Sequence, residues 1–510
     1  MSRQTSNLSQ NTTAHTAPAL SQNTFAVSAF AAPLAQPLAL DLDFTLIRSD
    51  LMLECLATAL KRNPMVIFLA FFWLLQGRAV LKHKLAKFAP PAVDLIPAND
   101  RLVALAHNEF NAGRHIVLAT AADTVSARRI AQRFAFIDEV IASDGQRNLK
   151  GAAKAQELSA RFPQGFLYAG DSAADMPVWQ AASEVIVVEA APSVARRAAA
   201  LGKPTLTLDA PRANARLVAK ALRLKQWAKN ALIFAPVLLA GLALAPAAWM
   251  QAAIAFIALG LVASATYLLN DIVDLADDRR HWSKKNRPLA SGALRLGAGL
   301  RLMLELAAVG FWLAAFAGWK VAAVIAVYAA ITLAYSFKLK RVPIVDVATL
   351  AALFTLRLFL GVVAIGAVIS PWLFVFSMAL FLSLSIAKRH TEVVRMSLHN
   401  LISMPGRGYV ARDEPLLLAM GLAAAASAIV LFSLYLTAEA FRATVYSAPA
   451  FLWATPVVLF LWLGRIWLLS QRGELDDDPV AFALKDRASL AMGGLLALSF
   501  GLAGFAGRFL

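Results

Sequence analysis

The segment Asn270 to Arg280, reading NDIVDLADDRR, follows directly on an apolar run from Ala253 to Leu269. Carboxylates at the edge of a membrane are costly unless they hold something. On a helix, Asn270, Asp274 and Asp278 are four residues apart, so one amide and two carboxylates share a face. Such a face suits Mg²⁺, a hard cation that takes oxygen ligands and leaves positions for phosphate. The residues that follow, HWSKKNRPLASG, bring Lys284 and Arg287, a point charge and a planar fork suited to phosphate oxygens. Two further runs, YSFKLK with Tyr335 and Lys340, and AKRHTE with Lys388 and Arg389, each end an apolar stretch. Acids and cations together point to a phosphorylated substrate carrying Mg²⁺, rather than to an anion channel.

A second constellation lies in the first half. Asp41 and Asp43 follow the apolar stretch Pro37 to Leu40, Thr120 ends the run His115 to Ala119, and Asp171 and Asp175 follow Gly165 to Ala169. Carboxylates just past the carboxyl ends of parallel strands occupy the usual active edge of an open α/β sheet. Asp41 suits a nucleophile and Asp43 a general acid and base. Asp171, with Asp41 and Asp175, suits Mg²⁺. Thr120 and Lys150 suit phosphoryl oxygens, with Lys154 one turn further on as the other candidate for the lysine.

These residues must be positioned by two different kinds of domain. Residues 37–210 read as a doubly wound α/β domain with a helical cap at about 50–95, preceded by a disordered leader, 1–36, and followed by a basic stretch, 211–230. The leader's weak basic start, with Ser28 and Pro33 interrupting its apolar part, argues against a cleaved signal. In the cap, Met65 to Leu75 is very apolar yet too short to span a bilayer. It fits either a buried cap helix or a segment lying on a membrane surface.

From 231 to 510 the chain alternates apolar runs with polar loops. About nine spans are expected, roughly 231–246, 249–269, 298–317, 320–335, 345–366, 371–387, 415–437, 449–468 and 489–507. The chain has 49 Lys and Arg against 32 Asp and Glu, net +17, yet the cations sit mainly in alternate loops, the positive-inside pattern rather than a nucleic-acid surface. That places the polar loops, the basic stretch before the first span and the α/β domain on the cytoplasmic side of the cell (inner) membrane. Lys225 and Lys229 lie in the basic stretch, Arg357 inside a span is a functional candidate, and Arg407 and Arg412 read as solvated loop charges. The single cysteine, Cys55, excludes an internal disulfide and a cysteine metal cluster.

The first-half motifs DLDFTL, the strand ending at Thr120, the lysine segment and GDSAAD resemble the haloacid-dehalogenase (HAD) phosphatases of the phosphoserine-phosphatase type, with Phe44 where that superfamily often has glycine. The second half resembles the UbiA superfamily of intramembrane prenyltransferases through NDxxDxxxD, and its decaprenyl-phosphate phosphoribosyltransferase branch through LRLKQWAKN, DRRHWSKKNRPLASG, YSFKLK and AKRHTEV. The second aspartate motif of most aromatic prenyltransferases is reduced to Asp346, with Leu350 four residues later. The resemblance implies a polyprenyl phosphate attacking C1 of phosphoribosyl pyrophosphate. Asn270, Asp274 and Asp278 would hold Mg²⁺–pyrophosphate, Lys284, Arg287, Tyr335, Lys340, Lys388 and Arg389 would hold phosphates, and Lys225 and Lys229 would sit near the lipid phosphate. The HAD domain would then remove the 5-phosphate of the product. Two alternatives stay open: a prenyl diphosphate donor with another acceptor, and a HAD phosphatase on a lipid-binding anchor without transferase activity.

Overall fold

A computed structural model describes residues 30–144, 147–209, 215–368, 370–398, 407–442, 446–475, 482–483 and 485–505; residues 1–29 of the expected leader lie outside the described residues. Packing divides the chain into two units, residues 1–47 with 98–211, and residues 48–97 with 212–510.

The first unit is a six-stranded parallel sheet in the order β3-β2-β1-β4-β5-β6. Its strands are β1 Leu38–Leu40, β2 Ile116–Asp123, β3 Glu139–Ser143, β4 Leu167–Gly170, β5 Glu184–Val188 and β6 Thr205–Leu208. Helices α4 Asp100–Asn111, α5 Thr124–Ala131, α6 Ala152–Arg161, α7 Met176–Ala181 and α8 Pro192–Ala199 alternate with them, as parallel pairing requires. The central strands are buried throughout, which explains why they read as unbroken apolar runs. Trp179, Tyr168 and Phe166 anchor the core beneath the sheet. Register pairs Leu40 with both Leu118 and Ala169, so Asp41, Thr120 and Asp171 emerge at one edge. The doubly wound architecture and its carboxylate edge are as expected.

The second unit is helical. Among the described residues, eight of its helices are long and apolar enough to cross a bilayer. These are α11 Pro246–Val273, α13 Leu296–Ala317, α14 Trp319–Phe337, α15 Val345–Ile365, α16 Pro371–Leu398, α17 Glu414–Ala438, α18 Ala454–Gln471 and α19 Arg487–Phe505. The ninth expected span, at 231–246, is not a regular helix. Leu224–Phe234 forms a 3₁₀ stretch, followed by the five-residue helix α10, Ala235–Leu239. Pro236, Gly241 with φ +71° and Pro246 punctuate this run, and each opposes helix continuation. Irregular backbone at membrane depth persists only where protein covers it. Here Asn230, Ile233 and Val237 are buried. Gly361 on α15 admits the Ile233 carbonyl so closely that a Cβ would lie 2.3 Å from the oxygen.

Residues 48–97, expected as a cap within the α/β domain, pack with this helical unit. Helices α1 Leu51–Arg62, α2 Val66–Leu75 and α3 Arg78–Phe88 share a small apolar core built on Cys55, Ala59, Val66, Ala70 and Leu85. The opposite face of α1, with Leu53 and Ala57, joins Ala265, Leu268 and Ile272 of α11. The helix α9, Ala215–Ala221, adds Ala221 to the same cluster.

Candidate functional sites

In the α/β unit, Asp41, Asp171 and Asp175 are all buried, with carboxylate oxygens within 4.8 Å of one another. Oxygen ligands about 2.1 Å from a shared Mg²⁺ lie roughly 3–4 Å apart, so the donor set fits that ion. Lysine contact comes from Lys154, whose Nζ donates to Asp41 Oδ1 at 2.7 Å and to the Tyr168 hydroxyl at 2.8 Å. Lys150 is exposed in the preceding loop, which corrects the sequence expectation. The chain turns at Gly151 (φ +59°), and helix α6 starts after it, so Lys154, Ala155 and Leu158 form its buried face while Lys150 is left outside.

Tyr168 escaped the sequence reading. Its hydroxyl donates to Asp175 Oδ1 at 2.8 Å, completing a chain Asp41–Lys154–Tyr168–Asp175. The available signal was a tyrosine two residues before the strand-ending glycine, pointing to the same face. Burial and the neighbouring carboxylates push the Tyr168 phenol well up, so it stays a donor. Burial also raises Asp41, opposed by the adjacent Lys154 ammonium. Gly170 is required by closeness, since a Cβ there would meet Asp175 Cγ at 2.8 Å. Thr120 is buried at the same edge, its hydroxyl accepting from the Ala122 amide. Asp43 follows in the turn after β1. Phe44, where a glycine was expected, takes φ +58°, the left-handed region, at a cost of about 1–2 kcal/mol.

In the helical unit, a cavity of about 280 Å³ is lined by Lys229, Asn270, Asp274, Asp278, Lys284, Arg287, Tyr335 and Lys340, eight of the residues singled out from sequence. The expected single helix is interrupted at Asp274, where α11 ends and the short helix α12, Leu275–Arg280, begins. The spacing survives because the Asp274 amide still donates to Asn270 and the Asp278 amide to Asp274, at 2.8 and 2.9 Å. Each acid already faces a cation. Lys340 reaches Asp274 at 3.1 Å, and Arg287 reaches Asp278 at 2.5 Å and Asp271 at 3.0 Å. Arg223 also pairs with Asp271. Burial pushes the Asp278 carboxyl up, and Arg287 counters it. These oxygen donors suit a hard cation that keeps positions for phosphate, and the cations suit the phosphate itself.

Three expected residues stand apart from this cavity. Lys225 is exposed, and Lys388 is half-buried without lining it. Arg389 is buried on α16, donating to Asp346 at 2.7 Å and pairing with Glu392. A guanidinium that buried stands only with its charge matched, and Asp346 and Glu392 supply the match. Tyr409 also donates to Asp346, at 2.5 Å. The lone acid of the reduced second motif is thus consumed internally, while Leu350 lines the cavity.

Other lining residues were missed or misjudged. Arg407, read as a solvated charge, lines the cavity, donating to the Tyr335 hydroxyl at 2.7 Å and lying 3.6 Å from Asp346. Arg223, which lines the cavity, carried no separate sequence signal, and neither did its partner Asp271 behind it. Arg357, flagged inside a span, lines the cavity and donates to Asn230, Leu353 and Tyr328.

The architecture and these sites define a bundle of apolar helices with a cavity of acids and cations, and a doubly wound α/β unit with a buried carboxylate cluster. The UbiA prenyltransferase family model matches residues 233–505, and the chain belongs to that family. It is 40% identical to the Sinorhizobium fredii protein y4nM, described as uncharacterized, over 92% of this chain and 91% of that one. It is 38% identical to the decaprenyl-phosphate phosphoribosyltransferase of Corynebacterium glutamicum over 34% of this chain and 54% of that enzyme. A HAD family hydrolase of Salmonella enterica serovar Typhi aligns with a TM-score of 0.25 at 17% identity, over 32% of this chain and 66% of that one.

Proposed function

We propose that the helical unit transfers a phosphoribosyl group from phosphoribosyl pyrophosphate to a polyprenyl phosphate, and that the α/β unit is a phosphohydrolase acting on the 5-phosphate of that product. The observation that carries the first part is the cavity itself: Asn270, Asp274 and Asp278 face Lys229, Lys284, Arg287 and Lys340 in one enclosure. A simple anion needs no acids, and a bare cation needs no lysines, but a metal-bound diphosphate needs both. The matched stretch of the Corynebacterium glutamicum enzyme supports the choice of substrates.

In this reading the lipid phosphate oxygen bonds to C1 of the ribose while the C1–O bond to pyrophosphate breaks. Lys284, Arg287 and Lys340 hold the departing phosphates, whose negative charge grows as that bond breaks. Asn270, Asp274 and Asp278 would hold Mg²⁺, which when bound supplies charge neutralisation for the pyrophosphate. Arg287 exchanges part of its bonding to Asp271 and Asp278 for phosphate oxygens. In the α/β unit, Asp41 is the nucleophile and Asp43 the general acid and base. Lys154 steadies Asp41, and Asp171 and Asp175 would join Asp41 in holding Mg²⁺, which when bound would offset the charge of the phosphate. Alternation of basic loops supports a cytoplasmic placement of both sites.

Membranes carrying the chain, incubated with ribose-labelled phosphoribosyl pyrophosphate, polyprenyl phosphate and Mg²⁺, are expected to move label into the lipid fraction. Asp274→Ala is expected to abolish the transfer. Lipid left unlabelled by the intact protein, with prenyl diphosphate consumed instead, refutes the phosphoribosyl reading. Labelled lipid made by Asp41→Asn protein, which keeps its 5-phosphate in this reading, is expected to release phosphate when supplied to Asp274→Ala protein, and not when supplied to protein carrying both substitutions. No release while soluble phosphoesters are still hydrolysed refutes the proposed substrate of the α/β unit.

A further inference from the structure

Helix α2 is apolar on every side, VIFLAFFWLL, with no polar residue between Met65 and Gln76. Only a narrow stripe, Val66 and Ala70 with part of Trp73, packs against α1 and α3. The outer faces carry Phe68, Phe71, Phe72 and Leu75, exposed by 67%, 63%, 58% and 70%. A water-facing helix of a soluble cap would be polar there. Exposed apolar surface this contiguous marks an interaction site.

Two further observations identify what covers it. First, α2 belongs to the unit that spans the membrane. Helix α1, which carries it, packs on Ala265, Leu268 and Ile272 in the closing turns of span α11. That level is where a span leaves the hydrocarbon. Secondly, from Cys55 to Val93 the chain holds no acidic residue but six Lys or Arg. Arg62, Arg78 and Lys87 are exposed around the apolar helix. Cations ringing an apolar surface match anionic phospholipid headgroups above acyl chains. A ten-residue helix is about 15 Å long, half the thickness of the hydrocarbon core, so it cannot cross.

We propose that α2 is a monotopic anchor, lying in the bilayer leaflet at the cavity end of the bundle with Phe68, Phe71 and Phe72 among acyl chains and the flanking Arg and Lys at headgroup level. Its consequence is local: the helix pins α1 to the membrane surface, and α1 pins the motif helix α12 through the buried Glu54–Arg279 pair.

The test uses the full chain in nanodiscs of phosphatidylcholine and phosphatidylglycerol. In a Cys55→Ala background, Phe68→Cys and Phe72→Cys are labelled with the fluorophore NBD, with Asn108→Cys in the α/β unit as an aqueous reference. At 68 and 72, spin-labelled phospholipid is expected to quench emission at least about twofold and aqueous iodide to have little effect; at 108 the order reverses. Iodide quenching at 68 and 72 overturns the proposal. Shielding from both quenchers also overturns it, because a protein surface then covers the helix. The unaltered chain provides a second measurement that does not depend on the variants folding. A photoreactive phospholipid is expected to label residues 65–76 as well as the spans, and labelling of the spans without that segment overturns the proposal.

Discussion

Removing Glu54 tests how the aspartate motif is held in place. Arg279 on α12 donates through both terminal nitrogens to the Glu54 carboxylate, at 3.0 and 2.7 Å, and its Nε donates to the Ala290 carbonyl. Both side chains are nearly buried, at 6% and 5% exposure, and Ser49 also donates to Glu54. Breaking such a pair from one side strands a charge and costs about 3–5 kcal/mol. At about 1.4 kcal/mol per factor of ten, local opening of α12 becomes roughly two to three and a half orders of magnitude more populated. Hydrogen exchange of the 275–280 amides in detergent-solubilised Glu54→Ala protein reads that change directly. Replacing both partners by apolar residues, Glu54→Leu with Arg279→Met, is expected to recover most of the protection, since it strands no charge. Exchange in Glu54→Ala within about threefold of the unaltered protein refutes the claim that this pair holds the motif.

Lys154→Met is expected to lower hydrolysis of p-nitrophenyl phosphate at least about 100-fold, whereas Lys150→Met, altering an exposed side chain, changes it less than about threefold. Asp274→Asn is expected to raise the Mg²⁺ concentration for half-maximal lipid labelling by at least about tenfold, as loss of a ligand weakens metal affinity no less than loss of a supporting group; an unchanged requirement places the metal elsewhere. Gly361→Ala is expected to destabilise the bundle by about 1–3 kcal/mol, seen as a lower thermal midpoint, because its Cβ would meet the Ile233 carbonyl. Gly493→Ala, with nothing within 4 Å of the added carbon, is the neutral comparison.

Much of this protein was legible from local pattern. Apolar strands leading to Asp41, Thr120 and Asp171 specify a parallel sheet and the edge where these residues meet, although β2 runs on past the expected end at Thr120 to Asp123, because strand burial and chain direction are written in runs of a few residues. Runs of bilayer length located the eight long spans, and four-residue spacing placed Asn270, Asp274 and Asp278 together even though the helix breaks between them. Spacing within one element survives such a break, since the hydrogen bonds that set it persist.

Tertiary structure decided what depends on partners distant in sequence. Lys154 rather than Lys150 meets Asp41 because Gly151 sets where α6 begins, and a single turn's phase inverts which lysine faces inward. Arg389 and Arg407 look alike as loop cations, yet one is consumed by Asp346 and Glu392 while the other reaches the cavity. Composition labels a charge as charged; only packing determines which opposite charge neutralises it. The run at 231–246 is apolar enough to suggest a span, but its prolines and Gly241 stop the helix, and neighbouring helices cover the irregular stretch at Ile233, Pro236 and Val237 while Gly241, Ala243 and Leu244 stay exposed.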